Sequence, residues 1–385
     1  MTLWRERMKV IPTFNKANIS LLMLALVAGI AGCSQEQATK AVTDTMAEEV
    51  ISEASSGLAY VTSQKSDTAG VKVIDLATME VVNTFDVKAE SPRGLGVTED
   101  GTKLIVATRE NSSISVIDTA TGEVLQQIEV GKNPEFVRVR GNFVFISSEP
   151  SAIGGPPPKP GSKEAKEDDD DDKIPARIAI VDLAKGEKIK EIVGGPETEG
   201  IEFSADGQEI VITNEADNTI TVHNIETGEL VKTIHTHEYG DRPRGIKVSP
   251  DGKTYLATLE YGNKFMVLDA DYNVVRAVDT GKVPYGISFD STGEHIYVAA
   301  NKEKALQVFD AKTYEKIKDI PTGNRCWHFS FTPDEKQLLL ACGKSDAVFV
   351  IDTEKQEVTK EIPVIDMPWG IVTYPKSMGS LDTKF

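Results

Sequence analysis

Cysteine is scarce: three residues in a chain of 385, too few to build a domain from disulfides. Positive charge is short as well, with 42 Lys and Arg against 60 Asp and Glu and a formal net charge of −18. So anionic a surface repels phosphate backbones, which argues against nucleic acid as a partner. The apolar run from Leu21 to Ile30 falls well short of the roughly 20 residues a helix needs to cross a bilayer. Helical periodicity is missing from the body of the chain, which points away from helical folds. What is present, 40% hydrophobic residues in regular alternation, is ample for a large core and too patterned for a disordered chain. Length alone suggests two or three domains, but a repeat overrides that expectation.

The apolar run follows Arg5, Arg7, Lys9 and Lys16 and ends in Ile30-Ala31-Gly32-Cys33. A basic segment, a short apolar core and small residues make a secretory signal over residues 1–32. The ending resembles the bacterial lipobox, which implies cleavage before Cys33 and its lipidation, an anchor to membrane. Ser34 in place of Asp implies the periplasmic face of the outer membrane. An ordinary cleaved signal with an incidental cysteine is the alternative. Residues 33–57 are polar and small and read as a tether, with a reach of roughly 25–30 Å as flexible coil. A short helix around 41–54 is the other reading of that segment.

An apolar residue followed by Asp recurs at Asp75, Asp118, Asp182, Asp269, Asp310 and Asp352, with Asn224 in the remaining place. The spacing is about 42 residues except across Pro150–Pro175, an acidic, proline-containing insertion with Asp168 to Asp172. Its composition reads as a disordered projection. Each copy divides into four short alternating strands punctuated by turn sequences such as Ser249-Pro250-Asp251-Gly252. Four strands cannot bury both faces of their own sheet, whereas seven such sheets packed radially can. The first copy holds strands two to four (58–87) and the last only strand one (368–374). Pairing them completes a seventh sheet and closes the ring. The expected fold is all-β, a seven-bladed β-propeller of four-stranded antiparallel blades over residues 58–375, followed by a tail at 376–385.

Tyr60-Val61-Thr62-Ser63, Ile117-Asp118-Thr119-Ala120-Thr121-Gly122 and Tyr297-Val298-Ala299-Ala300-Asn301 resemble the YVTN family of propeller repeats. Arg242-Pro243-Arg244-Gly245 and Asn324-Arg325-Cys326-Trp327 are similar to segments of bacterial periplasmic propellers associated with PQQ-dependent alcohol catabolism. That resemblance implies an accessory or binding protein rather than a defined reaction. Quinoprotein dehydrogenases carry eight repeats with a docking tryptophan after Asp-x-x-Thr-Gly. Here the tryptophan position after Asp118 is Gln126 and the repeats number seven, so the chain departs from that pattern.

In a ring of this kind the first strand of every blade borders the axis. Aligned on the following turn, the copies place Arg93, Glu135, Glu199, Arg244, Tyr285, Trp327 and Trp369 at the mouth of the channel. Aromatic faces beside guanidiniums suit a flat or anionic ligand. Alternatively the charges neutralise one another and the rings plug the opening. His235, His237, Glu238 and Asp241 lie in a loop on the same rim and offer copper or zinc ligands, although two histidines in a polar loop are usually solvated. Asp269-Ala270-Asp271-Tyr272-Asn273 mimics the start of a calcium loop, but Val274 replaces its glycine and Thr280 its final glutamate, so a turn is expected. Cys326 and Cys342 flank a hairpin symmetrically and fit either a cross-strand disulfide or two buried thiols, with His328 nearby. No order of residues suggests a nucleophilic triad. The functional expectation is therefore a non-catalytic, lipid-anchored periplasmic propeller that binds an unidentified protein or small molecule, its cofactor unknown. The alternative is a metal- or haem-associated propeller using His235, His237 or His328, and a plain envelope scaffold is a third possibility.

Overall fold

The computed structural model describes residues 56–64, 70–150 and 174–383. Cys33, the signal and tether segments and most of the acidic insertion lie outside the described residues. The described chain forms seven four-stranded antiparallel sheets. Blades 1 to 6 begin with the inner strands Pro92–Val97, Pro134–Arg140, Thr198–Phe203, Pro243–Val248, Pro284–Phe289 and Cys326–Phe331. Blade 7 takes its inner strand, Pro368–Tyr374, from the end of the chain and its other three, Leu58–Ser63, Gly70–Asp75 and Glu80–Phe85, from the beginning. Leu58 pairs with Tyr374 and Val61 with Ile371 across that junction. Each inner strand packs against the next, including blade 7 against blade 1, so the ring is closed. The protein is a seven-bladed β-propeller.

The repeated aspartates earn their place at turns. Asp118 Oδ1 accepts the Ala120 and Thr121 amides at 3.0 and 2.8 Å, an Asx turn that fixes the corner between third and outer strands. Asp269 does the same for Asp271 and Asn273, at 3.0 and 2.8 Å, and so holds a turn as expected.

Three repeated features aim the inner strands at the axis. A non-glycine residue in the left-handed region precedes every one of them: Ser91, Asn133, Glu197, Arg242, Val283, Arg325 and Met367, with φ between 50° and 63°. Every inner strand then slips register against its neighbour just after its first residue. A bulge of this kind frees two residues from the ladder and re-aims their side chains. The amide left over needs a partner. In four blades a hydroxyl of the second strand supplies it: Thr62 to Gly370, Ser147 to Phe136, Thr213 to Gly200 and Thr258 to Gly245, at 2.7 to 3.0 Å.

The second freed residue is glycine in five blades, because the neighbouring backbone fills the space: a Cβ on Gly94 would stand 2.3 Å from the Glu135 carbonyl oxygen and one on Gly245 2.6 Å from that of Tyr285. Blades 2 and 6 carry Phe136 and His328 there instead, and their rings meet near the axis with centroids 5.7 Å apart. The apolar core lies between blades, in clusters such as Ile105, Ile114, Val137 and Ile146, while outer strands leave Val82, Leu230 and Val275 exposed.

Candidate functional site at the channel mouth

The first freed residue of each inner strand is the one the repeat alignment singled out. Arg93, Glu135, Glu199, Arg244, Tyr285, Trp327 and Trp369 converge on the mouth, and all are buried except Arg93, whose side chain is 19% exposed. Their order round the ring makes neighbours complementary. Arg93 Nη1 lies 2.5 Å from Glu135 Oε1, and the Arg93 guanidinium sits over the Trp369 ring at 5.4 Å. Arg244 bonds Glu199 and stacks on Tyr285 at 4.9 Å, while the Tyr285 hydroxyl donates to Glu199 Oε2 at 3.3 Å. Trp327 is covered by Arg325 at 5.1 Å.

A second tier was not anticipated. Glu149, Glu215 and Glu260 come from the loops after the second strands of blades 2, 3 and 4 and enter the same cluster. Arg244 also bonds Glu215 and reaches Glu260 with Nε at 2.7 Å. Arg242 pairs with Glu215 and, at 3.3 Å, with Glu260. The signal for these glutamates was available, since all three hold one repeat position; attention to the first strand alone passed over it. Behind the lid, His328 packs edge-on against Trp369, Tyr285 and Phe136, with centroids at 4.4, 5.3 and 5.7 Å. Its Nδ1 contacts Ser380 Oγ at 3.1 Å, and its buried Nε2 has no hydrogen-bond partner.

Electrostatics follow from these pairs. Four buried glutamates (Glu135, Glu149, Glu199 and Glu215) and the partly buried Glu260 face one buried arginine, Arg244, and the partly buried Arg93 and Arg242. Burial, followed by repulsion from Glu135 and Glu199, lifts Glu149 well above the usual carboxyl range. Burial opposes the charge on Arg244, yet Glu199 and Glu260 outweigh it and hold the guanidinium well above its ordinary value. Burial likewise acts against ionised Glu260, but Arg244 and Arg242 pull its pKa down. Burial, reinforced by Arg244 and Arg93, pushes His328 well below the imidazole range and leaves it neutral. Burial also raises Tyr285, with Glu199 adding to the effect.

The rim histidines do not gather. His237 Nδ1 lies 2.6 Å from Asp241 Oδ1 and its side chain is 80% exposed, while His235 ends an outer strand, paired with Thr219. Neither Glu238 nor any third ligand joins them: among the described residues no group of three or more His, Cys, Asp or Glu could hold a metal ion. Cys326 and Cys342 face each other across the first two strands of blade 6 and are joined by a disulfide, which clamps the inner strand beside Trp327.

Comparison with other proteins agrees with this architecture. A YncE-like β-propeller family model matches residues 31–141 and a cytochrome D1 haem domain model matches residues 175–313. No curated protein matches in sequence. Solved structures with the same fold include a functionally unknown protein from Desulfotomaculum acetoxidans, with 17% identity, a TM-score of 0.67, and 83% of this chain and 99% of that one covered. Hydrazine synthase of Kuenenia stuttgartiensis has 18% identity and a TM-score of 0.63 over 82% of this chain and 99% of its own. The dihydro-haem d1 dehydrogenase NirN, in complex with DHE, has 16% identity and a TM-score of 0.59 over 82% and 74%. At these identities the likeness is one of fold: the chain is a seven-bladed β-propeller whose mouth is closed by its own side chains.

Proposed function

We propose that this propeller is a non-catalytic binding protein of a bacterial cell envelope, anchored through Cys33, that meets a partner protein or small molecule on its mouth face. The observation that carries this reading is the unbroken line of contacts from Glu135 through Arg93, Trp369, His328, Tyr285 and Arg244 to Glu199. A propeller repeat needs only a compact residue at these positions. So many paired, desolvated groups suit a rigid recognition platform better than acids and bases that must exchange protons with a substrate. The link to PQQ-dependent or other periplasmic oxidation rests on the resemblance of Arg242–Gly245 and Asn324–Trp327 alone. The test is a photo-crosslinking residue placed in cells at exposed Lys132 or Asn324 on the mouth face, and at exposed Val231 on an outer strand. The mouth positions should give a discrete adduct that Val231 does not; equal adducts, or none, would overturn the reading. For the anchor, Cys33→Ser should move the protein from membranes to the soluble fraction.

The haem-domain match over 175–313 and the fold shared with NirN favour a second reading, tetrapyrrole handling. His328, with its unpartnered Nε2, is the residue that would face an iron. Three rings wall it in and the mouth arginines are committed to glutamates, so a macrocycle does not fit the mouth with this lid closed. Added haem should therefore give no ligand-bound visible spectrum; a spectrum lost in His328→Ala would reverse the order of the two readings.

A further inference from the structure

The end of the channel opposite the mouth is closed in another way. After the last strand the chain folds back, and Ser377 to Asp382 are all buried. Gly379 bridges Ser330 of blade 6, flanked by Phe331 N–H to the Met378 carbonyl and Ser380 N–H to the Phe329 carbonyl, both 2.9 Å. The segment thus lies as a short extra strand against the inner strand of blade 6. It also crosses the axis: Arg138 of blade 2 donates Nη1 to the Leu381 carbonyl at 2.5 Å, and Lys247 of blade 4 donates Nζ to the Asp382 carbonyl at 2.6 Å.

The charges around this segment are unusual for a mere latch. Arg138, Lys247 and Glu202 are all buried, at 2%, 0% and 2% exposure. Glu202 Oε2 lies 2.6 Å from Arg138 Nη2 and 3.6 Å from Lys247 Nζ. One carboxylate therefore serves two cations, and the closer, permanently charged arginine claims it. Glu202 is accordingly held below the usual range despite its burial. Lys247 is the surplus cation: burial and then Arg138 drive it down to about 7 even with Glu202 and Asp382 near. Both cations direct a donor at neutral main-chain carbonyls, although a bond from a charged donor to an anionic oxygen is roughly twice as strong as a neutral one.

We propose that this end of the channel is a binding chamber for a small carboxylate- or phosphate-bearing anion, gripped by Arg138 and Lys247 and kept shut by the chain's own Ser377–Asp382 segment. The segment offers carbonyl oxygens where the ligand offers anionic ones. Being tethered, it competes at a millimolar effective concentration, so the free chamber binds more tightly than the intact chain. Glycines make room for it: a Cβ on Gly286 would stand 3.0 Å from Ser380 Cβ, and one on Gly370 3.0 Å from Leu381 Cδ1.

The experiment compares the full chain with one ending at Lys376, titrated calorimetrically with inorganic phosphate and with citrate. Blade 7 keeps its inner strand in the shortened chain. At least one of the two anions should bind it at least tenfold more tightly than the full chain, and Lys247→Met in the shortened chain should abolish that binding. A folded shortened chain that binds neither anion overturns the proposal, as does binding indifferent to Lys247→Met. Should the shortened chain not fold, Gly379→Val in the full chain is read in the same way, since its Cβ would press on the Phe329 carbonyl at 2.8 Å. Should that fail too, the native chain decides: millimolar phosphate or citrate must quicken tryptic cleavage after Lys376, and an unchanged rate overturns the proposal.

Discussion

The two ends of one channel are sealed by opposite means. At the mouth, every blade gives at least one side chain, and ion pairs join neighbouring blades, Arg93 with Glu135 and Arg244 with Glu199. At the far end, a single segment gives mostly backbone, and two buried cations share one carboxylate, Glu202. A lid of side chains from seven blades is part of the ring itself and opens only if blades repack. A lid made of one segment that belongs to no blade can leave while the ring stays closed. The mouth is thus built to present a fixed surface, and the far end to be vacated.

The largest effect expected from this contrast is at Arg244. Arg244→Met leaves Glu199, Glu215 and Glu260 buried without their main partner and should lower unfolding stability by about 3–5 kcal/mol, measured by denaturant titration. A loss below about 1 kcal/mol would show that the mouth does not depend on its ion pairs. A smaller effect is expected at the far end: Leu381→Ala removes a side chain 1% exposed and should cost about 3 kcal/mol while leaving the mouth intact. Ring current shifts of His328 and Trp369 in NMR spectra would check that last point.

The smallest effect separates the two ends by pH. Glu149 is raised in the folded state, so its contribution is complete below its unfolded value near 4.5 and is lost as pH rises through the folded value. Gln cannot ionise in either state. Glu149→Gln should therefore leave stability nearly unchanged at pH 4 and raise it by on the order of 1 kcal/mol at pH 8. A constant difference across that range would mean the mouth does not hold this proton.

The blade count, the split seventh blade and the seven mouth residues were all legible, for one reason: repetition aligns equivalent positions, and a β-strand's period of two assigns each to a face. The segments 58–87 and 368–374 could be matched across the chain because three strands at one end and one at the other have no other partner. The glutamate tier at Glu149, Glu215 and Glu260 was equally periodic and became visible only when the loops were seen to bend inward. Phe136 and His328 break the glycine pattern of their position, a departure that sequence alone leaves without meaning until their rings meet on the axis. For His235 and His237, proximity in sequence suggested a shared ligand, but the strand ends between them and no third ligand joins them among the described residues.

Sequence by itself determined the closed ring and its charge order, because both follow from local periodicity repeated seven times. Only tertiary structure decided which groups are neutral or charged and where the C-terminal segment goes. Protonation depends on how many buried partners surround a carboxyl, and the path of Ser377–Asp382 on backbone bonds to strands far away in the chain; neither is encoded in a residue's own neighbours.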